Sequence, residues 1–490
     1  MPRRTERMPP GKIRWNLLII YIIKYHEIVY FNTLGCSVPD VPMGAAADNY
    51  IHFKTPTTYK FRVTFTDKKQ TPYSVSRPEE FLSEKALERR KRMNLSVDEY
   101  DLPITPDYLK AVQQYGRLVT KSKWTNTAVV ELTDTSALKG LRSLPYVKEV
   151  CQVWKRPDKM LRPDTADRRT WLVDTLPQLS QTYGRGYRQI AQLNGIKLHD
   201  AGFRGKGVTI AVIDAGYCNA DYIKALKGVD IKGTYNFVHP GHTVYEGQKH
   251  GMNVLSCIAT NRPGALVGTA PEASFYLLVS EDDSTEHKVE EDYWCAAVEY
   301  ADSVGCDVVT SSLGYTGYDD KVESFGYWEL DGRTHINSRV ASLAASRGIV
   351  LLNSAGNSGN DRWKKIGVPA DATDMLSVGA VDSLGRNTYF SSLGNTADGR
   401  IKPDVMAMGQ ASALLDTDGC LTTANGTSFS TPILCGLVAC LRQAYPQVRP
   451  ETIIQAVRLS GNNAQHPDNV FGCGIPDMWK AYELLRQWTH

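Results

Sequence analysis

The residues that could do chemistry begin with a serine that stands between a small-residue turn and a helix. The segment reads Asn425-Gly426-Thr427-Ser428-Phe429-Ser430-Thr431-Pro432. We predict that Ser428 opens a helix whose first turn carries Pro432, because a first-turn residue needs no N–H for the helix. Free main-chain amides at a helix start could bind an oxyanion formed beside the serine, as acyl transfer requires. An ordinary helix cap has the same composition, so the upstream residues decide.

Three upstream residues supply the partners that a serine nucleophile needs. Asp214 ends the apolar run GVTIAVID, which predicts a buried parallel strand with the carboxylate at its C-terminal edge. His250 opens a predicted helix, and Asn357 lies in a small-residue turn after IVLLNSAG. Taken singly, these are typical of turns and helix caps. Together they offer an orienting carboxylate, a general base and an amide donor for an oxyanion.

The order and the flanking motifs of these residues resemble those of the subtilisin-like serine proteases, or subtilases. Asp214, His250, Asn357 and Ser428 follow one another in the chain order Asp, His, Asn, Ser. Each lies in a motif similar to the family's: V-I-D at a strand end, H-G at a helix start, A-G-N in a turn, and G-T-S before a helix. The resemblance implies an Asp-His-Ser catalytic triad with Asn357 in the oxyanion hole. It also implies a serine endopeptidase that acts through an acyl-enzyme intermediate.

Further segments match the family's substrate-binding and structural motifs. Ser311-Ser312-Leu313-Gly314 resembles the segment that pairs with the substrate backbone and forms one wall of the S1 pocket. The resemblance places Ala355 and Gly356 in the same subsite. Similar matches occur in three other segments, at 267–273, 368–370 and 402–405. The middle one predicts a cis peptide bond before Pro369. These matches leave the substrate sequence preference open.

Three residues depart from the family's pattern. Met252 stands where a threonine usually follows His-Gly, and Ser430 stands where an alanine usually follows G-T-S-x. Lys249 directly precedes His250, and a cation there would lower the pKa of the imidazole if the lysine side chain pointed inward. None of these departures removes a catalytic group. They therefore bear on substrate preference more than on activity.

Other functional classes can be compared with this interpretation. An α/β-hydrolase esterase needs G-x-S-x-G, with an acid between the serine and the histidine in the chain. Here Ser430 stands where the second glycine belongs, and the order is Asp-His-Ser, so that class is excluded. A catalytically inactive binding protein on the subtilase fold stays open, and so does a peptide ligase that uses the same residues.

The pattern of strands and helices divides the chain into four parts. Residues 1–50 are expected to form an export leader, and residues 56–155 resemble a subtilase proregion, a small α+β domain that assists folding and blocks the cleft. A permanently attached accessory domain is the alternative for that part. Residues 156–185 are expected to form a linker and processing zone. In residues 186–490 apolar strands alternate with helices, which predicts an α/β, three-layer subtilisin-like fold with a mostly parallel central sheet.

The charge is unevenly distributed along the chain. Residues 1–160 hold 27 Lys and Arg against 17 Asp and Glu, a net charge of +10, whereas residues 161–490 hold 29 against 36, a net charge of −7. Two units that attract one another are therefore expected. The basic residues of EEFLSEKALERRKR alternate with glutamate, which indicates a solvated helix face and no nucleic-acid partner. The expected partners are a protein or peptide substrate and the chain's own proregion, as an intramolecular inhibitor.

The N-terminus resembles a weak export signal. Basic residues precede the apolar run at 17–23, which is too short for a transmembrane span and marginal for a signal peptide. Export is expected mainly because the family is usually exported, and Cys36 lies in a loose lipoprotein-like box. The ten cysteines form no C-x-x-C pair, and an even number permits disulfides. We assign no cofactor and no metal: the acidic stretch 281–292 could hold calcium, as in some relatives, but a solvated helix start is preferred.

Overall fold

The computed structural model describes residues 50–52, 57–157, 159–161, 176, 178–179, 181–321 and 323–489. The predicted leader, apart from Tyr50, lies outside these ranges, as do the apolar run at 17–23, Cys36 and most of the predicted linker. Strand β1 (Tyr50–His52) pairs antiparallel with β6 (Lys159–Leu161). Within the described ranges, no helix is both long enough and apolar enough to cross a membrane.

The N-terminal unit is a four-stranded antiparallel sheet with short helices and its own apolar core. Its strands are β2 (Tyr59–Phe65), β3 (Arg117–Ser122), β4 (Thr127–Leu132) and β5 (Val147–Lys155), in the order β3-β4-β2-β5. Its helices are α1 (Glu84–Arg92), α2 (Pro106–Gln113) and α3 (Leu138–Arg142), with 3₁₀ turns at Pro78–Glu80 and Thr135–Ala137. This arrangement confirms the predicted α+β unit.

Two details of this unit differ from the sequence prediction. The helix predicted for 79–92 is divided into a 3₁₀ turn and α1, because the Ser83 side chain accepts a hydrogen bond from the Ala86 amide and caps α1. Strand β3 was not predicted. It has few apolar residues and is the edge strand of the sheet, so it lacks the pattern of a buried strand.

The second unit is built on a seven-stranded sheet in which every neighbouring pair of strands is parallel. Its strands are β7 (Thr209–Asp214), β8 (Asp230–Asn236), β11 (Ser274–Val279), β12 (Val308–Ser311), β13 (Val350–Ser354), β14 (Leu376–Val381) and β15 (Val405–Met408), in the order β15-β14-β13-β12-β7-β11-β8. Two antiparallel pairs lie outside this sheet: β9 (Asn261–Arg262) with β10 (Leu266–Val267), and β16 (Ser412–Leu415) with β17 (Leu421–Ala424).

The helices of this unit pack against the sheet and against one another. They are α4 (Tyr187–Ala191), α5 (Ile196–Asp200), α6 (His250–Ala259), α7 (Val289–Ser303), α8 (Ile336–Ser346), α9 (Thr427–Ala444), α10 (Pro450–Ser460) and α11 (Met478–Thr489), with 3₁₀ turns at Lys224–Leu226 and Tyr327–Glu329. Helix α6 contacts α9, and α7 contacts α8. Fully buried β-branched and leucine residues fill the strands between them, so the predicted α/β class is confirmed.

The two units are joined by buried ion pairs. Arg62 of β2 contacts Asp292 at 2.6 Å, and on α1 both Arg89 and Arg90 bind Asp302 of α7. The expected attraction between a basic and an acidic unit is therefore confirmed. The predicted solvated face of α1 is confirmed in part: Glu84, Glu88, Lys91 and Arg92 are exposed. Arg89 and Arg90 instead are turned into the interface, where they are 0% and 1% exposed.

The described cysteines are all free thiols, nine in number, so no disulfide bond links any of them. Burial raises the pKa of Cys257 and of Cys435 to about 12. Both therefore stay protonated at neutral pH and pack as small apolar residues, as their apolar helices predicted.

Candidate active site

The sheet order places three candidate segments side by side. Strands β13, β12 and β7 are neighbours, and they end at Ser354, Ser311 and Asp214. Because the strands are parallel, their C-terminal ends lie at the same edge of the sheet, where open α/β sheets bind ligands. The Val368–Pro369 peptide bond near this edge is cis, as predicted.

Asp214 and His250 form a buried pair. The Asp214 Oδ1 atom lies 2.7 Å from His250 Nδ1, and the two residues are 1% and 8% exposed. Gly251 explains how α6 comes so close to β7: a Cβ atom on this glycine would lie 2.8 Å from the Asp214 Cβ and 2.7 Å from the Gly216 carbonyl oxygen. The H-G dipeptide therefore sets the distance between the carboxylate and the imidazole.

Ser428 is the second residue of α9, and its hydroxyl donates to the Ser312 carbonyl at 3.3 Å. The prediction that Pro432 lies in the first turn is wrong, because α9 begins at Thr427 and the proline is inside the helix. A proline there removes the N–H that would bond the carbonyl of Ser428. The Ser312 hydroxyl donates to that carbonyl instead, at 2.9 Å. Ser312 thus both accepts from and donates to Ser428.

Asn357 is held with its amide group in a fixed orientation. Its Oδ1 accepts hydrogen bonds from the Thr427 main-chain N–H at 2.9 Å and from the Thr427 hydroxyl at 3.0 Å. Within the part of the chain that the structure describes, Nδ2 donates to no protein atom. The carboxamide therefore keeps its two N–H donors for another acceptor. Sequence analysis missed this role of Thr427, although the G-T-S motif contains it.

One cavity of about 270 Å³ gathers most of the predicted residues. Ser428 and Asn357 line it together with the predicted substrate-binding residues Ser312, Leu313, Gly314, Ala355 and Gly356. The Leu313 carbonyl accepts hydrogen bonds from Asn353 Nδ2 at 2.8 Å and from the Ser354 hydroxyl at 3.2 Å. These two buried residues, which sequence analysis did not single out, tie the two walls of the cavity together.

Ser311 is not brought to this cavity. It is fully buried, and its hydroxyl accepts a hydrogen bond from Trp294 Nε1 at 2.8 Å. Successive residues of a strand point to opposite faces, so Ser311 faces α7 while Ser312 faces α9. The two adjacent serines of the segment thus have different surroundings, which the sequence motif did not distinguish.

A ring contact with α9 brings the Asp214–His250 pair next to the residues that line the cavity. The His250 ring lies 5.8 Å, centroid to centroid, from the ring of Phe429, the residue after Ser428. The Lys249 Nζ atom pairs with Asp416 at 3.0 Å. Met252 is fully buried in the core. The Ser430 hydroxyl donates to the Thr427 carbonyl at 3.0 Å, so the departing residues are accommodated within the helices.

Acidic residues lie near the cavity and could hold a cation. Oxygen atoms of Glu281, Glu286 and Glu290 all come within 4.8 Å of one another. Glu290 is fully buried and opens α7 together with Glu291 and Asp292, which are also buried, so the preferred interpretation of a solvated helix start is wrong. We assign no metal to these carboxylates, since acidic groups cluster in many proteins without one.

Comparison with known proteins agrees with this architecture. The profile described as the subtilase family matches residues 205–474, and one described as a peptidase S8 propeptide domain of Bacteroidota matches residues 60–170. Subtilisin NAT of Bacillus subtilis subsp. natto is 30% identical over 261 residues, which are 52% of this chain and 61% of that protein. Subtilisin DY of Bacillus licheniformis is 29% identical over 275 residues, 54% of this chain and 88% of that protein.

A mammalian relative is more distant. Membrane-bound transcription factor site-1 protease of Mus musculus is 27% identical over 311 residues, 61% of this chain and 27% of that protein. The chain thus spans less than two thirds of the length of several of these relatives. The family profile nevertheless covers more than half of the chain, including every predicted site residue. The protein belongs to the subtilase family, with a propeptide domain of the same family before its catalytic fold.

Proposed function

We propose that this protein is a serine endopeptidase in which Ser428 attacks the scissile carbonyl. His250 takes the proton of the serine hydroxyl at Nε2 and later returns it to the leaving amine. Asp214, bonded to the other ring nitrogen, fixes the tautomer and stabilises the imidazolium. The 2.7 Å contact between Asp214 and His250, at the strand edge where Ser428 and Asn357 share a cavity, is the observation that supports this most directly.

Asn357 and the main-chain N–H of Ser428 are proposed to bind the oxyanion of the tetrahedral intermediate. The two hydrogen bonds from Thr427 occupy Oδ1, so the donor end of the Asn357 carboxamide is the end left for a substrate oxygen. The substrate backbone would lie along Ser312–Gly314 as an added strand, with Ala355 and Gly356 opposite. Water then hydrolyses the acyl-enzyme, with His250 acting as the base.

The remaining predictions on organisation are part of the same proposal. Residues 56–155 would act as the proregion, residues 156–185 as the processing zone and residues 186–490 as the catalytic domain. The ion pairs of Arg62, Arg89 and Arg90 favour a proregion that binds its own catalytic domain as an inhibitor until it is cut away. Export follows from the usual location of the family and from the signal-like N-terminus.

A comparison of the wild-type protein with Ser428→Ala and His250→Ala tests the proposal. Each protein is expressed with the full chain, and both self-processing and hydrolysis of denatured casein are measured. We expect the wild type to release a fragment of the size of residues 186–490 and to cleave casein, and both variants to do neither. A wild type that folds but cleaves no protein or peptide would favour the alternative, an inactive binding protein on this fold.

A further inference from the structure

The cavity that contains Ser428 has an acidic lining in addition to its catalytic groups. Glu286 and Asp319 line it together with Gly314 and Asn357. The two acidic residues hold their loops together, because the Glu286 amide donates to Asp319 Oδ2 at 2.9 Å and the Asp319 amide donates to the Glu286 carbonyl at 2.9 Å. The main chain of Glu286 is therefore fixed in the cavity wall.

Further negative charge lies directly behind this wall. Glu281 and Glu290, 4% and 0% exposed, bring their carboxylates within 4.8 Å of that of Glu286. The Tyr315 hydroxyl donates to Glu281 at 2.6 Å, and Tyr315 follows Gly314 in the substrate-binding segment. Burial raises the pKa of Tyr315 well above its usual value, and the charges of Glu281 and Glu290 raise it further. Three carboxyl groups thus lie together on this side of the cavity.

The chain's own basic groups complement this charge. Lys60 of the N-terminal unit donates to Tyr293 of α7 at 2.9 Å; burial lowers the pKa of this lysine, while the charges of Asp282 and Glu290 oppose that shift. In the sequence, residues 155–169 contain six Lys or Arg residues and three Asp. Apart from residue 155, this basic stretch lies within the proposed processing zone, residues 156–185. A protease that cuts its own chain there would meet a basic substrate.

We propose that Glu286, supported by Glu281 and Glu290, selects substrates with a lysine or arginine side chain on the amino-terminal side of the scissile bond. This inference rests on the proposed peptidase function. A cationic side chain that enters the cavity loses water but gains the attraction of a carboxylate in a partly buried site, where charges interact more strongly than in bulk water. An acidic side chain in the same position would be repelled.

The test uses the processed protein and fluorogenic peptides that differ at one residue. Lysine, the neutral isostere norleucine or glutamate is placed in turn at each of the four positions before the scissile bond, with EDTA present to remove divalent cations. At one position or more, we expect kcat/KM for the lysine peptide to exceed that for norleucine at least tenfold, with glutamate slowest. High salt should reduce the ratio, because ions screen the attraction.

Two variants assign the preference to the cavity. Glu286→Gln should bring the ratio of lysine to norleucine close to one, whereas Glu286→Asp, which keeps the charge, should retain most of it. Glu451→Gln is the matched control, because Glu451 is exposed at the start of α10 and outside the cavity, so both activity and ratio should stay unchanged. Equal cleavage of all peptides by the wild type, or an unchanged ratio in Glu286→Gln, would overturn the inference while the peptidase function stands. Failure to cleave any peptide would count against the function itself.

Discussion

The hydrogen bond from the Ser312 hydroxyl to the Ser428 carbonyl is predicted to stabilise the protein only because residue 432 is proline. Pro432 has no N–H, so the carbonyl four residues before it lacks its helical donor. Ser312 and Ser428 are each 2% exposed, so no water can readily replace the hydroxyl, which lies 2.9 Å from the carbonyl oxygen. Ser312→Ala should leave a buried carbonyl unsatisfied and lower the free energy of unfolding by about 1–3 kcal/mol.

A double-mutant cycle isolates this effect. Pro432→Ala restores an N–H that can donate to the Ser428 carbonyl, so Ser312→Ala should cost close to nothing in that background. The predicted coupling between the two positions is therefore about 1–3 kcal/mol. Ser460→Ala is the control: Ser460 also donates a buried side-chain hydrogen bond to a helical carbonyl, that of Val457, at 2.8 Å. Its cost should be the same with proline or alanine at position 432.

The assay is urea unfolding followed by circular dichroism. All proteins also carry Ser428→Ala, which removes the proposed nucleophile and keeps the main-chain carbonyl under test. Distant, independent sites add within about 0.3–0.5 kcal/mol. A coupling between Ser312 and Pro432 no larger than that would refute the assignment of the hydroxyl as the substitute donor.

Three further predictions follow from the site and the interface. Asn357→Ala should fold normally and lower turnover by a factor on the order of 10²–10³, the loss known for the corresponding donor in subtilisin itself. Unchanged turnover would show that the donor is misassigned. Arg89→Ala leaves the buried Asp302 without one of its two arginines, so it should lower the free energy of unfolding of the unprocessed chain by about 3–5 kcal/mol. A loss below about 1 kcal/mol would contradict this. Burial acts to raise the pKa of Glu291, but the hydrogen bond and the charge of His335 lower it to about 2. The stability that this carboxylate contributes should therefore be present above about pH 4.5 and be lost as the pH falls toward 2. Glu291→Gln should remove that part of the pH dependence, and an unchanged profile would exclude it.

The sequence predicted the architecture best where one residue pattern had one structural meaning. Buried parallel strands such as β7 and β13 read as continuous apolar runs, and both were predicted with candidate site residues at or just after their ends. Strands β3 and β8 were missed because they are edge strands with polar residues, which do not show the buried pattern. The buried face of α1 was missed because an arginine paired across an interface cannot be told from a solvated one by its neighbours in the chain.

The candidate site was predicted by motif, while its supporting contacts required the fold. The motifs indicated Asp214, His250, Asn357 and Ser428, in the chain order Asp, His, Asn, Ser. The exchange of hydrogen bonds between Ser312 and Ser428 depends on how β12 meets α9, which no local pattern encodes. The same holds for the cluster of three glutamates, which comes from a loop and a helix start that the sequence alone describes only as acidic.

Covalent labelling of the processed protein with a fluorophosphonate, followed by peptide mass mapping, tests most directly whether Ser428 is the nucleophile and His250 its base. We expect a single adduct on Ser428 that is lost in Ser428→Ala and strongly slowed in His250→Ala. It should be retained in Ser430→Ala, which changes a neighbouring serine of the same helix. An adduct at another residue, or equal labelling of the wild type and His250→Ala, would contradict the assignment of Ser428 and His250 as nucleophile and base.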